Sequence, residues 1–154
     1  MTVARRPETP ADDVFLRQLL RRAVGDELGV WSWPEALRES MLEQQSSIRR
    51  QAARSAGPGR SSEIIEADGA PAGWICLVDT GEAIRIADIV VAPEYQGKGI
   101  GATVVNAVVR DAGGRPVRLN VTAANTRAAA FYQRLGFERT GGDEVQHFLE
   151  RRAC

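Results

Sequence analysis

No apolar run in this sequence approaches the roughly 20 residues that a membrane-spanning helix needs, so no bilayer-embedded role is expected. The opening residues, MTVARRPETP, hold no apolar leader core and predict no secretory signal. Cysteine occurs twice, at Cys76 and Cys154, without the spacing of a metal site. No metal is expected, a Cys76–Cys154 disulfide is disfavoured, and the chain reads as cytoplasmic. Histidine occurs once, at His147 in the predicted last strand, where a sheet-face position is the simplest account. Net charge is absent as well: 20 basic side chains face 20 acidic ones. A dedicated nucleic-acid binder needs an excess of basic surface, so that partner is not expected. There is no internal repeat, and the Ser55–Ser61 stretch is too short to separate domains. Residues 1–154 are therefore predicted to form one domain with a sizeable core.

What the sequence does have is one organising stretch, Ile84 to Ala112. It opens with Ile84, Ile86, Ile89, Val90 and Val91, a β-branched composition that predicts a central strand. Pro93 ends the strand, because proline brings no N–H to a ladder. Gln96-Gly97-Lys98-Gly99-Ile100-Gly101 follows, with a glycine at every second position. The spacing then becomes helical through Ile100, Val104, Val105, Val108 and Val109, and Gly113-Gly114 stops the helix.

Strand, glycine loop and helix together make an anion site. The first turn of a helix leaves its N–H groups unpartnered and partly positive. Glycines remove the Cβ atoms that would hold a phosphate away from those donors. A pyrophosphate is thus expected on the amides of 97–101, with Lys98 adding charge at the rim. The loop lacks the Gly-Lys-Ser/Thr of a nucleoside-triphosphate loop. Gly97, Gly99 and Ala102 match the dinucleotide fingerprint, but the acid that fingerprint requires after the next strand is missing, which places a dinucleotide oxidoreductase behind.

Around this stretch a strand is predicted from Thr2 to Arg6. A helix follows from Thr9-Pro10-Ala11-Asp12 to about Leu28, with Val14, Phe15, Leu19 and Ala23 inward and Gly29 closing it. Ser32 and Glu35 fit a capping box for a second helix with Leu37, Met41, Leu42, Ile48 and Ala52 as its apolar face. Trp31 and Trp33 are expected to plug the junction of the two helices. Arg49, Arg50 and Arg54 read as a solvated basic face, with contact to an acidic acceptor or to phosphates as the sharper alternative. Strands are predicted over Ser62–Ala67 and Ala72–Asp79, joined at Asp68-Gly69. Pro116–Thr122 should be a strand parallel to the central one, reached by a right-handed crossover. A short helix, Thr126–Leu135, is capped by Gly136, and a last hairpin turns at Gly141-Gly142-Asp143. The class is α/β: an α+β mixed sheet of about seven strands with helices on both faces.

Two segments carry a resemblance. Val91, Pro93, Gln96, Gly97, Lys98, Gly99, Ile100 and Gly101 resemble the acetyl-CoA-binding motif of the GCN5-related N-acetyltransferases, the GNAT family. Asn125, Ala128, Tyr132, Leu135, Gly136 and Phe137 are similar to that family's N-x-x-A-x-x-x-Y-x-x-L-G-F helix. The resemblance covers roughly residues 60–150 well. It implies a GNAT-like fold whose central parallel pair is splayed apart. It also implies acetyl-CoA as donor, an amine acceptor, direct attack in a ternary complex, and the pairing of similar proteins as homodimers through C-terminal strands. Ile89, Val90 and Val91 would offer the backbone edge along which the pantetheine arm lies, and an N–H near Val90 or Val91 would face the thioester oxygen. Tyr132 would be the general acid. Asn125 would cap its helix and touch the pantetheine arm. The helix pair of the first sixty residues would cover the acceptor. Gln96 stands where the family usually has arginine and offers no charge. The base is not fixed by the resemblance. Asp88 in the central strand is the first candidate, with Glu82 second and a structural pair with Arg85 or Arg118 as the alternative role for Asp88. A CoA-binding module without turnover remains the rival reading.

Overall fold

The computed structural model describes residues 1–152. The elements in chain order are β1 (Val3–Pro7), α1 (Asp13–Leu28), α2 (Glu35–Arg54), β2 (Arg60–Ala67), β3 (Ala70–Asp79), β4 (Ile84–Val91), α3 (Ile100–Asp111), β5 (Val117–Thr122), α4 (Thr126–Arg134), β6 (Glu138–Gly142) and β7 (Gln146–Arg151). All strands join one sheet in the order β1-β2-β3-β4-β5-β7-β6. Every pairing is antiparallel except β4 with β5. The expected mixed α/β architecture is what the chain adopts.

The sheet is covered on both faces. Val104, Val105, Val108 and Val109 of α3 pack with Ile75, Ile86, Val117 and Leu119 on one face, where α4 adds Tyr132. Leu16, Leu19 and Leu20 of α1 and Ala53 of α2 pack with Ile64, Trp74 and Val90 on the other. A buried valine or leucine contributes on the order of 2 kcal/mol, so Ile100 and the four valines of α3, all buried, suffice to fix that helix against the sheet.

Several local expectations shift. The first helix begins with a 3₁₀ turn, Pro10–Asp12, and its buried stripe is Leu16, Leu19, Leu20 and Val24, with Val14 in solvent. The sequence holds two overlapping apolar stripes there, and the one offset by a single residue from Phe15 wins. Ser32 lies in a second 3₁₀ turn, Val30–Ser32, and α2 starts after Pro34 with no side-chain cap. Leu37 and Ile48 of α2 are exposed, whereas Leu42, Ser46 and Ala53 are buried. The last hairpin turns two residues later than expected. Gly141 and Gly142 stay in β6, and the Asp143 carboxylate accepts from the N–H groups of Val145 and Gln146. Cys76 is a buried free thiol, and Cys154 lies outside the described residues. Among the described residues no helix is long and apolar enough to cross a membrane.

Candidate active site

The site originates in a failure of pairing. β4 and β5 match only at Ile84↔Val117 and Arg85↔Arg118, and beyond Arg85 they part. On its other side β4 carries a bulge. Cys76 faces Asp88 and Leu77 faces Ile86, so Ala87 is the extra residue. One extra residue resets the two-residue alternation of a strand. Ile84, Ile86, Ile89 and Val91 consequently all face the α3 side, and Asp88 and Val90 face α1 and α2.

The same alternation decides which backbone groups are free. The Ala92 N–H donates to Ala72 O at 2.8 Å, so Ala92 and, two residues back, Val90 turn their backbone to β3. Ile89 and Val91 turn theirs to the open side. Of the three residues expected to supply a backbone edge, Val90 is thus engaged with β3, and Ile89 and Val91 border the gap. The Val91 carbonyl already accepts from the Gln96 side-chain amide at 2.9 Å. That glutamine ties the loop back to the strand.

The loop itself has the geometry its glycines suggest. Gly97 and Gly99 take φ of 76° and 79°, left-handed values that disfavour any side chain. A Cβ at either would meet nothing within 4 Å, so the space above the loop is open. The first N–H of α3 with an intrahelical acceptor is that of Thr103, to Gly99 O at 3.0 Å. The amides of Ile100, Gly101 and Ala102 precede it and lack such acceptors. Gly101 serves a second purpose, because a Cβ there would lie 3.3 Å from the Phe131 ring. Lys98 stands 5.7 Å from the centroid of the Tyr95 ring, at the rim.

Two clefts meet at this point. One, of about 470 Å³, runs from the loop along Ile89 and Val91 to α4. The other, of about 640 Å³, fills the gap between the parted strands and reaches Glu27, Leu28 and Arg49 of the first two helices. Ile89, Asn125, Ala128 and Tyr132 line both. Tyr132 is only 7% exposed. Burial, with the Asp88 charge second, pushes its phenol up to about 12, so it is protonated at neutral pH. Phe131 and Phe137 hold its ring edge-on, with centroids at 5.0 and 5.4 Å. The helix that carries it is fixed at both ends. Asn125 Oδ1 accepts from Ala128 N–H at 3.1 Å. At the other end Phe137 N–H donates to Tyr132 O and Gly136 N–H to Gln133 O, each at 3.0 Å, a Schellman closure.

Asp88 is paired, and with neither of the expected arginines. Arg85 donates to Ala56 O, and Arg118 meets Glu150. Arg49 of α2 instead grips Asp88 with Nε at 2.7 Å and Nη2 at 2.8 Å, and its Nη1 reaches Glu27 at 3.1 Å. Burial works against the Arg49 charge, but the Asp88 hydrogen bonds outweigh it and hold the guanidinium above its ordinary value. Arg50 pairs with Asp13 at 2.7 Å. The basic face expected in solvent therefore sends two of its three arginines into ion pairs across the fold. Glu82 sits in solvent beyond the paired end of β4, away from both clefts. His147 stands on β7, opposite Val121.

Sequence reasoning missed Tyr95, Arg127 and Arg134, which line the loop-side cleft. Arg127 and Arg134 fall at positions the helix motif leaves open, and their spacing of four and three residues from Phe131, which lines the same cleft, was the available signal. Among the described residues no group of His, Cys, Asp or Glu could hold a metal ion.

Comparison with known proteins agrees with this geometry. The acetyltransferase (GNAT) family model matches residues 18–137. An uncharacterised N-acetyltransferase of Methanocaldococcus jannaschii is 36% identical over 85 residues, 49% of this chain and 38% of that protein, so the chain spans well under half of that relative. A thialysine N-ε-acetyltransferase of Sus scrofa is 34% identical over 116 residues, 62% of this chain and 68% of that protein. The crystal structure of the PaiA N-acetyltransferase of Thermoplasma acidophilum in complex with coenzyme A superposes with a TM-score of 0.69 at 19% identity, covering 99% of this chain and 100% of that one, a likeness of fold. With the family model spanning most of its length, the chain belongs to the GNAT acetyltransferase family.

Proposed function

We propose that the chain, acting as one domain over 1–154, moves an acetyl group from acetyl-CoA to a primary amine of a small molecule or peptide by direct attack in a ternary complex. The observation that carries this reading is the meeting of two clefts at Tyr132, one floored by unpartnered helix amides and the other lined by Asp88, Glu27 and the Arg49 that joins them. The amides of 97–102 would hold the donor's diphosphate, with Lys98, Arg127 and Arg134 adding charge. The pantetheine arm would lie beside Ile89 and Val91 as an added strand, and the Val91 N–H would donate to the thioester oxygen. Asn125, with its Oδ1 engaged in the cap, has its side-chain N–H₂ free for the arm.

The chemistry balances as follows. The amine nitrogen attacks the thioester carbon, the new C–N bond forms, and the C–S bond breaks. Tyr132 gives its proton to the departing thiolate. Bound as an ammonium, the acceptor first loses one proton through water in the polar cleft, which frees its lone pair; after attack the second nitrogen proton passes through water to restore the Tyr132 phenol. Arg49 uses both Asp88 oxygens, yet each keeps a lone pair. In this proposal Asp88 binds the acceptor ammonium by charge and orients it, with proton transfer through water.

A thiol-release assay across an amine library tests the reading. Amine-dependent release of free CoA, nearly abolished in Tyr132→Phe, is expected. Acetyl-CoA binding without release for any amine would favour the CoA-binding module. A rise in melting temperature with NADH alone would return the dinucleotide reading.

A further inference from the structure

Most arginines of this chain are engaged within the fold. Among the described residues each one meets a carboxylate, a backbone carbonyl or an amide oxygen, except Arg54, Arg60, Arg127 and Arg134. Arg127 and Arg134 line the loop-side cleft, where the donor's diphosphate is expected. Arg54 and Arg60 line a separate recess of about 260 Å³, on the face of the sheet that α1 and α2 cover. It shares no residue with either cleft at Tyr132. One unpaired arginine at a surface is ordinary. Two that converge on one recess are positive charge without a protein counterion.

The elements that bring these arginines together leave no carboxylate for them. Arg54 ends α2 and Arg60 opens β2. Leu16, Leu20, Ala53 and Trp74, all buried, close the recess beneath. Glu8 is the one carboxylate in its lining, and its oxygens are already engaged. Ser62 Oγ–H donates to Glu8 Oε1 at 2.5 Å, and Arg50 stands 3.9 Å from Oε2. Ser62 Oγ in turn accepts from the Trp74 indole N–H at 2.8 Å. Asp13, the nearest further carboxylate, pairs with Arg50 at 2.7 Å. Nor do the two arginines hold the end of α2, because Arg85 reaches the carbonyl of Ala56 there at 3.1 Å. Arg50, Arg54 and Arg60 against Glu8 leave the recess with two surplus positive charges.

A surplus of two in so small a space suits a compact dianion. A guanidinium matches phosphate oxygens with two parallel N–H donors, and a phosphate monoester carries a charge of about −1.5 to −2 at neutral pH. A dicarboxylate would spread the same charge along a carbon chain. At Leu20, Arg50 and Arg54 the recess runs on into a groove of about 330 Å³ between α1 and α2, where Ser47 and Gln51 offer polar groups to the organic part of an ester. We propose that this recess is a phosphate site distinct from the donor's diphosphate loop. Arg54 and Arg60 grip the phosphate group, and Arg50 screens it from Glu8.

Calorimetric titration of inorganic phosphate and of glycerol 3-phosphate into the CoA-saturated protein, at fixed ionic strength, tests it. Bound CoA covers Arg127 and Arg134, so the remaining phosphate binding reports the recess. One site with a Kd of about 1 mM or tighter is expected, the order that two charge-assisted contacts support. Arg54→Gln and Arg60→Gln should each raise that Kd about tenfold, Arg54→Lys should raise it less, and none should alter the Kd for CoA. Both arginines are exposed, so the variants should fold as the wild type does. Tighter binding of the ester names a phosphoester as the ligand, and binding no tighter names the free ion. The absence of saturable phosphate binding, a Kd unmoved in both glutamine variants, or tighter binding of succinate than of phosphate would overturn the site and leave the acetyltransferase reading intact. Failure of CoA to bind would overturn that reading alone, because the glutamine variants still locate the phosphate.

Discussion

The two ends of the β4–β5 pair are made of similar residues and do opposite things. At the Ile84–Arg85 end the ladder is closed, Ile84 N–H donates to Pro116 O at 3.0 Å, and backbone groups are satisfied within the sheet. At the Ile89–Val91 end no ladder exists, and the freed backbone borders a cleft that a glycine loop and two helices enclose. An unpaired strand edge is usually a liability. Here it borders a cleft of about 470 Å³ lined by residues of α3 and α4. The lesson is that the proposed binding edge consists of hydrogen bonds the strands do not make with each other.

The sharpest way to break the contrast is to disable the open end without touching the closed one. Tyr132→Phe should lower kcat by roughly 10²- to 10⁴-fold, the range of a general acid, and leave the Kd for acetyl-CoA near its wild-type value, as read by single-turnover kinetics and calorimetry. Gly99→Val puts a branched side chain on a φ of 79° and into the open space above the amides. A rise of about 100-fold in the Kd for acetyl-CoA is expected, alongside a stability loss of roughly 1–2 kcal/mol from the left-handed conformation.

Asp88→Asn removes the charge that Arg49 grips from the cleft side. Hydrogen bonds to charged groups contribute about 1.5–3 kcal/mol, so an unfolding free energy lowered by that order in urea titrations is expected, with a higher KM for the amine and an unchanged one for acetyl-CoA. Tyr132 also sharpens the comparison through pH. Its folded pKa, about 12, lies above the unfolded value near 10. The stabilisation is complete below about pH 10 and is lost as pH rises through 12, roughly 3 kcal/mol in all. Urea titrations across that window should show the loss in the wild type and not in Tyr132→Phe. Glu82→Gln, at the closed end, should change activity by less than about twofold and stability by less than about 0.5 kcal/mol.

The parts of this design that depend on local chemistry were legible in the sequence. Glycines at 97, 99 and 101, the valine stripe of α3, the Asn125 cap and the Gly136 closure each have a mechanism within a few residues of chain. The parts that depend on distant partners were not. Asp88 offered Arg85 in its own strand or Arg118 in the parallel one, and the one it takes, Arg49, comes from a helix 39 residues earlier. Trp31 and Trp33 were expected to plug the helix junction because aromatic residues are usually buried, but they are 47% and 36% exposed, and nothing in the neighbouring sequence revealed that Gly25 would seat the Trp31 ring at the surface. Val90 appeared equivalent to Ile89 and Val91 until the bulge at Ala87 fixed which of them faces the gap.

Backbone amide exchange, measured residue by residue with and without acetyl-CoA, tests the central claim most directly. The account predicts slowed exchange at Ile89, Val91 and the amides of 97–102, with Ile84–Ile86 unchanged. Exchange unaltered at the loop and the open edge, or slowed there by NADH and not by acetyl-CoA, would contradict it.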